Sequence, residues 1–303
     1  MPSRFVTLGI LVFWLATTAW FVARDLLPHW GSQAAPPFSI ELADEAIRQI
    51  VPVHWQIRRD GQAIGRLRTT LRSHDEDDTY ELTAACQELP LVDTTAPVVG
   101  RIQIGIRQFE DRLRVTRDGE LRSMRTTVAL NVQFGSGLAI PAEAALSADV
   151  RGRRMERAFR LSSPGLGEFA PALDSTEPIR GSVLNPLHPL HRLAGLRPGQ
   201  RWRQPLVAPH EEIIQAALAK APGAESAAPA FTQRRIRWLD AAVRPRLERL
   251  EWNRGDVDCL VVDFRGDWQS DDLAARTWIR ATDGLILRQE AESHGQTLIL
   301  ERE

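Results

Sequence analysis

The sequence predicts a mainly β protein: a large curved antiparallel sheet or half-barrel with one or two packed helices, preceded by a single N-terminal transmembrane helix. Three observations support this prediction. Apolar residues alternate with polar ones in many short segments, turn dipeptides such as Asp60-Gly61 separate several of these segments, and residues 5–23 carry no charge. The strand-helix-strand alternation of a parallel sheet is missing from the sequence, so antiparallel pairing is expected.

The uncharged segment 5–23 lies close to the N-terminus. At about 1.5 Å per residue, a helix of this length spans about 28 Å, close to the hydrocarbon thickness of a bilayer. No clear cleavage site precedes Arg24, so we expect an uncleaved anchor over residues 1–30, with a cleaved secretory signal as the alternative. Arg4 and the amino terminus lie on one side, whereas Asp25 offsets Arg24 on the other. The positive-inside tendency therefore predicts a single-pass protein with a cytoplasmic N-terminus and an extracytoplasmic C-terminal domain.

The rest of the chain is predicted to form a linker with a short helix at 31–52 and a β-rich domain at 53–303. At the start of that domain, Val53, Trp55 and Ile57 alternate with polar residues and indicate a half-buried strand. The same alternation recurs between tight turns, which is typical of an antiparallel meander. Further strands are predicted at 64–71, 79–86, 102–106, 113–116, 121–130, 128–134, 155–161, 247–252, 259–264, 274–280, 285–291 and 297–301.

Two segments interrupt this β pattern. Residues 163–209 contain eight prolines, and because each proline lacks a backbone donor and fixes φ, a long connection is predicted there. A short helix is predicted at 210–220. Its acidic residues stand near the start and Lys220 stands at the end, which suits the direction of the helix dipole.

Composition and motifs exclude several classes of function. The 39 acidic residues balance 38 basic ones, so the concentrated positive charge of a nucleic-acid-binding protein is not expected. The sequence contains no nucleophile elbow, phosphate-binding loop, His-Glu-x-x-His motif or calcium-binding loop. His188, His191 and His210 could be considered as metal ligands, but no carboxylate motif accompanies them. We therefore predict no catalytic residues, no bound metal and no cofactor.

The two cysteines, Cys86 and Cys259, are far apart in the sequence and form no Cys-x-x-Cys pair. A disulfide between them is chemically permitted if the domain lies outside the cytoplasm. The alternative is a pair of buried thiols, because each cysteine lies within an apolar, strand-like segment.

Three segments resemble known proteins. Residues 53–65 (VHWQIRRDGQAIG), 196–202 (LRPGQRW) and 277–288 (TWIRATDGLILR) look like the opening, middle and closing hairpins of uncharacterised bacterial membrane-anchored exported β-domains. Some members of that group accompany transglutaminase-like domains, and some are thought to form a half-barrel similar to that of the periplasmic lipoprotein carriers. The resemblance implies a fold and transfers no functional residues. It implies no transglutaminase activity, because no such module follows.

A half-barrel has a concave face that a helix, a ligand or a partner must cover. Trp55 and Trp278 are our candidates for lining this face and binding a ligand, and core packing is the alternative. The leading functional hypothesis is a non-enzymatic, membrane-tethered scaffold or binding module of the cell envelope, with an envelope protein as a partner. A second hypothesis is a carrier or sensor of a lipid-like hydrophobic ligand. A third is an enzyme with a dispersed, unrecognised site.

Overall fold

The computed structural model describes most of the β-rich domain. The described residues are 52–96, 100–134, 138–165, 167–178, 183–184, 191–193, 195–205, 209–218, 220, 238–266, 273–293 and 296–303. The anchor predicted at 1–30, the helix predicted before residue 52 and His188 lie outside these ranges. Within them, the chain forms no helix with the length and apolar character needed to cross a membrane.

Strands dominate the described part of the chain, with one short helix between them. In chain order the elements are β1 (Val53–Arg59), β2 (Gln62–His74), β3 (Thr79–Ala96), β4 (Gly100–Thr116), β5 (Leu121–Phe134), β6 (Leu138–Arg151), β7 (Arg154–Ser163), β8 (Gly167–Phe169), β9 (Arg201–Pro205), α1 (Pro209–Leu218), β10 (Trp238–Val243), β11 (Glu248–Trp252), β12 (Gly255–Arg265), β13 (Leu273–Arg280), β14 (Ile286–Ser293) and β15 (Gln296–Arg302).

All the described strands belong to one antiparallel sheet. Its strand order is β8-β7-β6-β5-β4-β3-β2-β1-β15-β14-β13-β12-β10-β9, and β11 pairs with β12 beside β10. The last strand, β15, pairs with the first, so Trp55 lies opposite Arg302. The predictions of a mainly β protein and of a large antiparallel sheet are confirmed, and α1 packs against β6 and β7 at the position predicted for the short helix.

Turn chemistry explains the hairpins that the sequence marks most clearly. Asp60 and Gly61, between β1 and β2, have φ values of 49° and 80°, as a two-residue type I′ turn requires. Asn253 and Arg254 join β11 to β12 with φ values of 50° and 66°. These tight connections match the twist of the flanking strands, so they fix which residues pair in each hairpin.

The sheet has two different faces. We call the side that bears the main hydrophobic core the inner face, and the opposite side the outer face. The core joins inner-face side chains of β1 to β7, β9, β10 and β12 to β14 in one contiguous cluster, so the sheet must curve around it. A smaller cluster on the outer face covers β12, β13 and β14, and its buried members are Cys259, Val261, Trp278, Leu285 and Leu287.

Four long strands project beyond the rest of the sheet. β2 pairs with β3 only as far as Gln87, and β7 pairs with β6 only as far as Glu143. Beyond these points, β3 to β6 pair with one another alone among the described strands. We call this part the distal flap; it comprises residues 88–96, 100–107, 129–134 and 138–142.

Candidate functional site

The inner face is filled by the chain's own proline-rich connection. Val183, Leu184 and Leu193 from this connection are 0%, 2% and 3% exposed and belong to the main core. Ile213 of α1 is also fully buried in that core. The predicted long connection is therefore a structural part of the domain, because it supplies apolar side chains that the curved sheet packs around.

Backbone hydrogen bonds fasten the connection to turns of the sheet. The N–H of Val183 donates to the carbonyl of Gly119 at 2.9 Å, in the turn between β4 and β5. The N–H of Leu193 donates to the carbonyl of Gly284 at 2.8 Å, in the turn between β13 and β14. The N–H of Ile286 donates to the carbonyl of His191 at 3.0 Å. These bonds satisfy backbone groups that would otherwise be buried without partners.

A small polar cluster lies within the inner core around Trp55. The indole Nε1 of this fully buried residue donates to the Thr69 hydroxyl at 2.9 Å, and that hydroxyl lies 3.4 Å from Nε2 of His191. The guanidinium of Arg302 stands 5.9 Å from the centre of the Trp55 ring, and its Nη1 donates to the His191 carbonyl at 3.4 Å. Both the indole N–H and the aromatic ring of Trp55 therefore contact neighbouring side chains in the core.

His191 is buried in its neutral form. Burial lowers the pKa of this imidazole to about 3, and the charges of Arg302 and Arg192 act in the same direction. Its Nδ1 atom is buried without a hydrogen-bond partner among the described residues. The buried polar group that joins the connection to β2 is therefore an uncharged imidazole.

Trp278, the second tryptophan predicted to line the concave face, lies on the outer face. It belongs to the outer cluster, whereas Trp55 belongs to the main core, so the structure does not bring the two together. The Arg276 and Arg288 guanidinium groups stand 5.5 Å and 5.0 Å from the Trp278 ring centre. Cation–π contacts of this kind stabilise an aromatic ring beneath charged side chains. The two tryptophans therefore cannot form one ligand site.

Ion pairs surround this outer cluster. Asp263, which is 8% exposed, accepts hydrogen bonds from Arg276 at 2.7 Å and from Arg244 at 3.0 Å. Burial raises the pKa of Asp263, but the hydrogen bonds from the two guanidinium groups outweigh it and hold that pKa below its usual value. Arg244 also pairs with Glu248, and Arg288 pairs with Glu290. These charges are mutually neutralised, which gives the outer surface structural support.

Both cysteines are free thiols. Cys86 is buried in the main core and Cys259 in the outer cluster, so the structure does not pair them. Burial raises the pKa of both thiols, and that of Cys259 reaches about 11. A thiolate nucleophile is disfavoured at both positions because the charged form lacks solvation.

One carboxylate–imidazole pair links α1 to the sheet, and sequence analysis did not identify it. Oδ1 of Asp111 in β4 accepts from the Thr126 hydroxyl at 2.6 Å and lies 2.9 Å from Nε2 of His210. Asp111 is 6% exposed. A carboxylate can orient an imidazole as a general base, but here the same oxygen also binds Thr126 and fixes the first turn of α1. Asp111 and His210 are 99 positions apart, so no local motif could have revealed the contact.

The histidines predicted as weak metal candidates do not converge. His191 lies in the polar cluster around Trp55, and His210 binds Asp111. Within the described ranges, no three His, Cys, Asp or Glu side chains are placed to hold a metal ion.

A groove of about 400 Å³ with a mixed polar and apolar lining lies on the outer face at the base of the distal flap. Glu143 of β6 and Arg160 of β7 line it, and Arg160 pairs with Glu168 at 3.1 Å. Neutral side chains complete the lining, including Gln108, Thr127 and Ser162. The groove is open and mixed in character, which suits surface contact better than enclosure of a small molecule.

Comparisons with known proteins show a distant structural likeness. No protein-family model matches the chain, and no curated protein matches it. Among solved structures, the chain is similar to a beta-barrel-like protein of a domain of unknown function, DUF1849, from Brucella abortus. The two are 10% identical, the match covers 84% of this chain and 97% of that one, and the TM-score is 0.34. A likeness at this level carries no inference about function.

Proposed function

We propose that this chain is a membrane-tethered, extracytoplasmic binding module or scaffold of the cell envelope, without enzymatic activity. The single observation that best supports this function is the filling of the inner face by Val183, Leu193 and Ile213. A face occupied in this way is a structural core, so the outer face and the distal flap are the surfaces at which a partner could bind. The uncharged segment 5–23 supports the tether.

Membrane fractionation tests the tether directly. After lysis of cells that express the full chain, the protein should sediment with membranes and should remain there through an alkaline carbonate wash, because a spanning helix is held by hydrophobic burial. Protease added outside intact spheroplasts should degrade the β domain. Recovery of the full chain in the soluble fraction would refute the tether, and protection of the β domain would refute its extracytoplasmic position.

A carrier or sensor of a lipid-like ligand is the alternative function. The observation in its favour is the partly exposed apolar surface of the distal flap, where Ile104, Leu130 and Val132 share the inner face. The discriminating experiment is titration of delipidated full chain, in mild detergent, with a fluorescent fatty acid. The scaffold hypothesis predicts only the weak, non-saturable partition seen with empty micelles. Saturable binding at one site per chain would favour the carrier.

A further inference from the structure

We propose that the distal flap docks on the surface of a lipid bilayer, with its inner face against the acyl chains and its outer face toward headgroups and water. This inference rests on the proposed membrane tether and assigns a second contact between the same domain and the membrane. It follows from the composition of the flap, from the chemical difference between its two faces, and from the length of the predicted linker that joins the domain to the anchor.

Two of the four flap strands carry no charge in the flap. Segments 129–134 and 138–142 contain no charged residue, although 25% of the whole chain is charged. Segments 88–96 and 100–107 contain Glu88, Asp93, Arg101 and Arg107. Charged side chains keep an exposed sheet soluble and discourage contact with other molecules. Their absence from the flap segments of β5 and β6 indicates a surface that is not selected for contact with water alone.

Strand register sorts the uncharged side chains into two faces. On the inner face, Val132 of β5 lies between Ile104 of β4 and Ile140 of β6, and Leu130 lies opposite Ile106. All five side chains are partly exposed, in contrast to the buried core toward which this face continues. The flap therefore extends the apolar inner face beyond the contacts that the described residues of the connection and of α1 make with the sheet.

The outer face of the flap is polar, and strand register places Asp93 opposite Gln103 on this face. Gln133 lies opposite Gln103, and Asn131 lies opposite Gly105. Gln133 is exposed, and Gln103 and Asn131 are partly exposed. Amide side chains can form hydrogen bonds with headgroups and water, whereas aliphatic ones favour the hydrocarbon boundary. A sheet with these two faces fits the interface of a bilayer.

The predicted linker is long enough for the flap to meet the membrane. Val53 pairs with Thr69, Thr69 with Ala84, and Ala84 with Asp111, so Val53 and Asp111 lie at the same height along the strands. At about 3.4 Å per residue, the end of β4 at Gly100 lies about 37 Å farther along the strands. The linker of about 22 residues at 31–52 spans up to roughly 75 Å when extended, and less if part of it is helical. A tether at residues 1–30 thus permits contact between the flap and the bilayer.

Site-directed quenching tests the proposed contact. The full chain, carrying Val132→Cys labelled with bimane, is reconstituted in vesicles of phosphatidylcholine and phosphatidylglycerol in equal parts. Gln133→Cys is the matched control, since it is the next residue on the opposite face, and Arg122→Cys reports the far end of β5. Cys86 and Cys259 are buried, so labelling is directed to the introduced thiol. Doxyl-labelled lipid quenches from the acyl chains, and iodide quenches from water.

Doxyl lipid should quench the probe at Val132 severalfold more than the probe at Gln133, and iodide should show the reverse order. The probe at Arg122 should respond to iodide alone. Ile104→Cys and Gln103→Cys repeat the comparison on β4, which guards against a local effect of one label. Circular dichroism of each variant must show the β content of the parent chain.

Three results would overturn the inference. Equal quenching at Val132 and Gln133 would contradict the two-faced contact, and quenching of Val132 by iodide alone would show that its face meets water. Shielding of Val132 from both quenchers would show that protein covers it, either elsewhere in the chain or in a second copy. The carbonate wash distinguishes a failure of the tether from a failure of the flap contact. Without the tether, carbonate would remove the chain from the vesicles, whatever quenching pattern was measured before the wash.

Discussion

Leu193→Ala tests the claim that the proline-rich connection belongs to the core. Leu193 is 3% exposed and packs in the main cluster. Its truncation removes buried methyl groups and leaves a cavity that the fastened connection cannot readily close, so we expect a loss of about 3 kcal/mol in the free energy of unfolding, within a range of roughly 2–5. Leu247→Ala is the matched control, because Leu247 is 47% exposed and the same change there should cost less than about 0.5 kcal/mol.

Urea unfolding of the full chain in mild detergent, followed by tryptophan fluorescence, measures both variants. The midpoint for Leu193→Ala should fall while the slope with denaturant stays unchanged, because the surface exposed on unfolding is nearly the same. If Leu193→Ala costs less than about 1 kcal/mol, or no more than Leu247→Ala, the connection behaves as a peripheral loop and the reasoning fails.

Three further predictions follow from the polar clusters and the thiols. The free energy of unfolding should fall as pH drops from about 6.5 toward about 3, by up to roughly 1.4 kcal/mol per pH unit, because unfolded His191 binds a proton that the native imidazole, with its pKa of about 3, does not. When urea midpoints are plotted against pH, the slope should be shallower for His191→Gln than for the parent chain. An unchanged slope would contradict the burial of His191. Asp111→Ala should speed amide hydrogen exchange in α1 at least several-fold while β1 stays protected, because His210 and Thr126 lose their shared acceptor; equal protection of α1 in parent and variant would show that the contact does not hold the helix. At pH 8, maleimide should label neither cysteine in the native chain and both in urea, whereas rapid native labelling of Cys259 would contradict its raised pKa of about 11.

Local chemistry made the hairpins predictable. Asp60-Gly61, the acidic run 75–78 and Asp118-Gly119 mark turns in the sequence because few residues tolerate the backbone angles or the solvation there, and all three segments are turns in the structure. Alternation also located the strands that have one polar face, such as β1. Strand ends were less predictable: β3 continues ten residues beyond the predicted end at Cys86, since pairing with β4 extends it.

Long-range packing limited the prediction of the site. In β12, the residues from Cys259 to Phe264 are all buried, so alternation no longer distinguishes the inner face from the outer face. The neighbouring β13 likewise carries buried residues on both faces, and sequence alone did not show that Trp278 points away from Trp55. The connection gave no periodic signal because its few core residues are separated by prolines and fixed by bonds to distant turns.

The connection is an integral part of the inner core, and native-state hydrogen exchange measures this directly. The amides of Val183, Leu193 and Ile286 donate to Gly119, Gly284 and His191 respectively, so each reports a bond between the connection and the sheet. We predict protection close to that of the core amides of β1 and β12, lost only with global unfolding. Exchange of these three amides at the rate of an exposed loop, while β1 and β12 stay protected, would show that the inner face opens to solvent and would contradict the account.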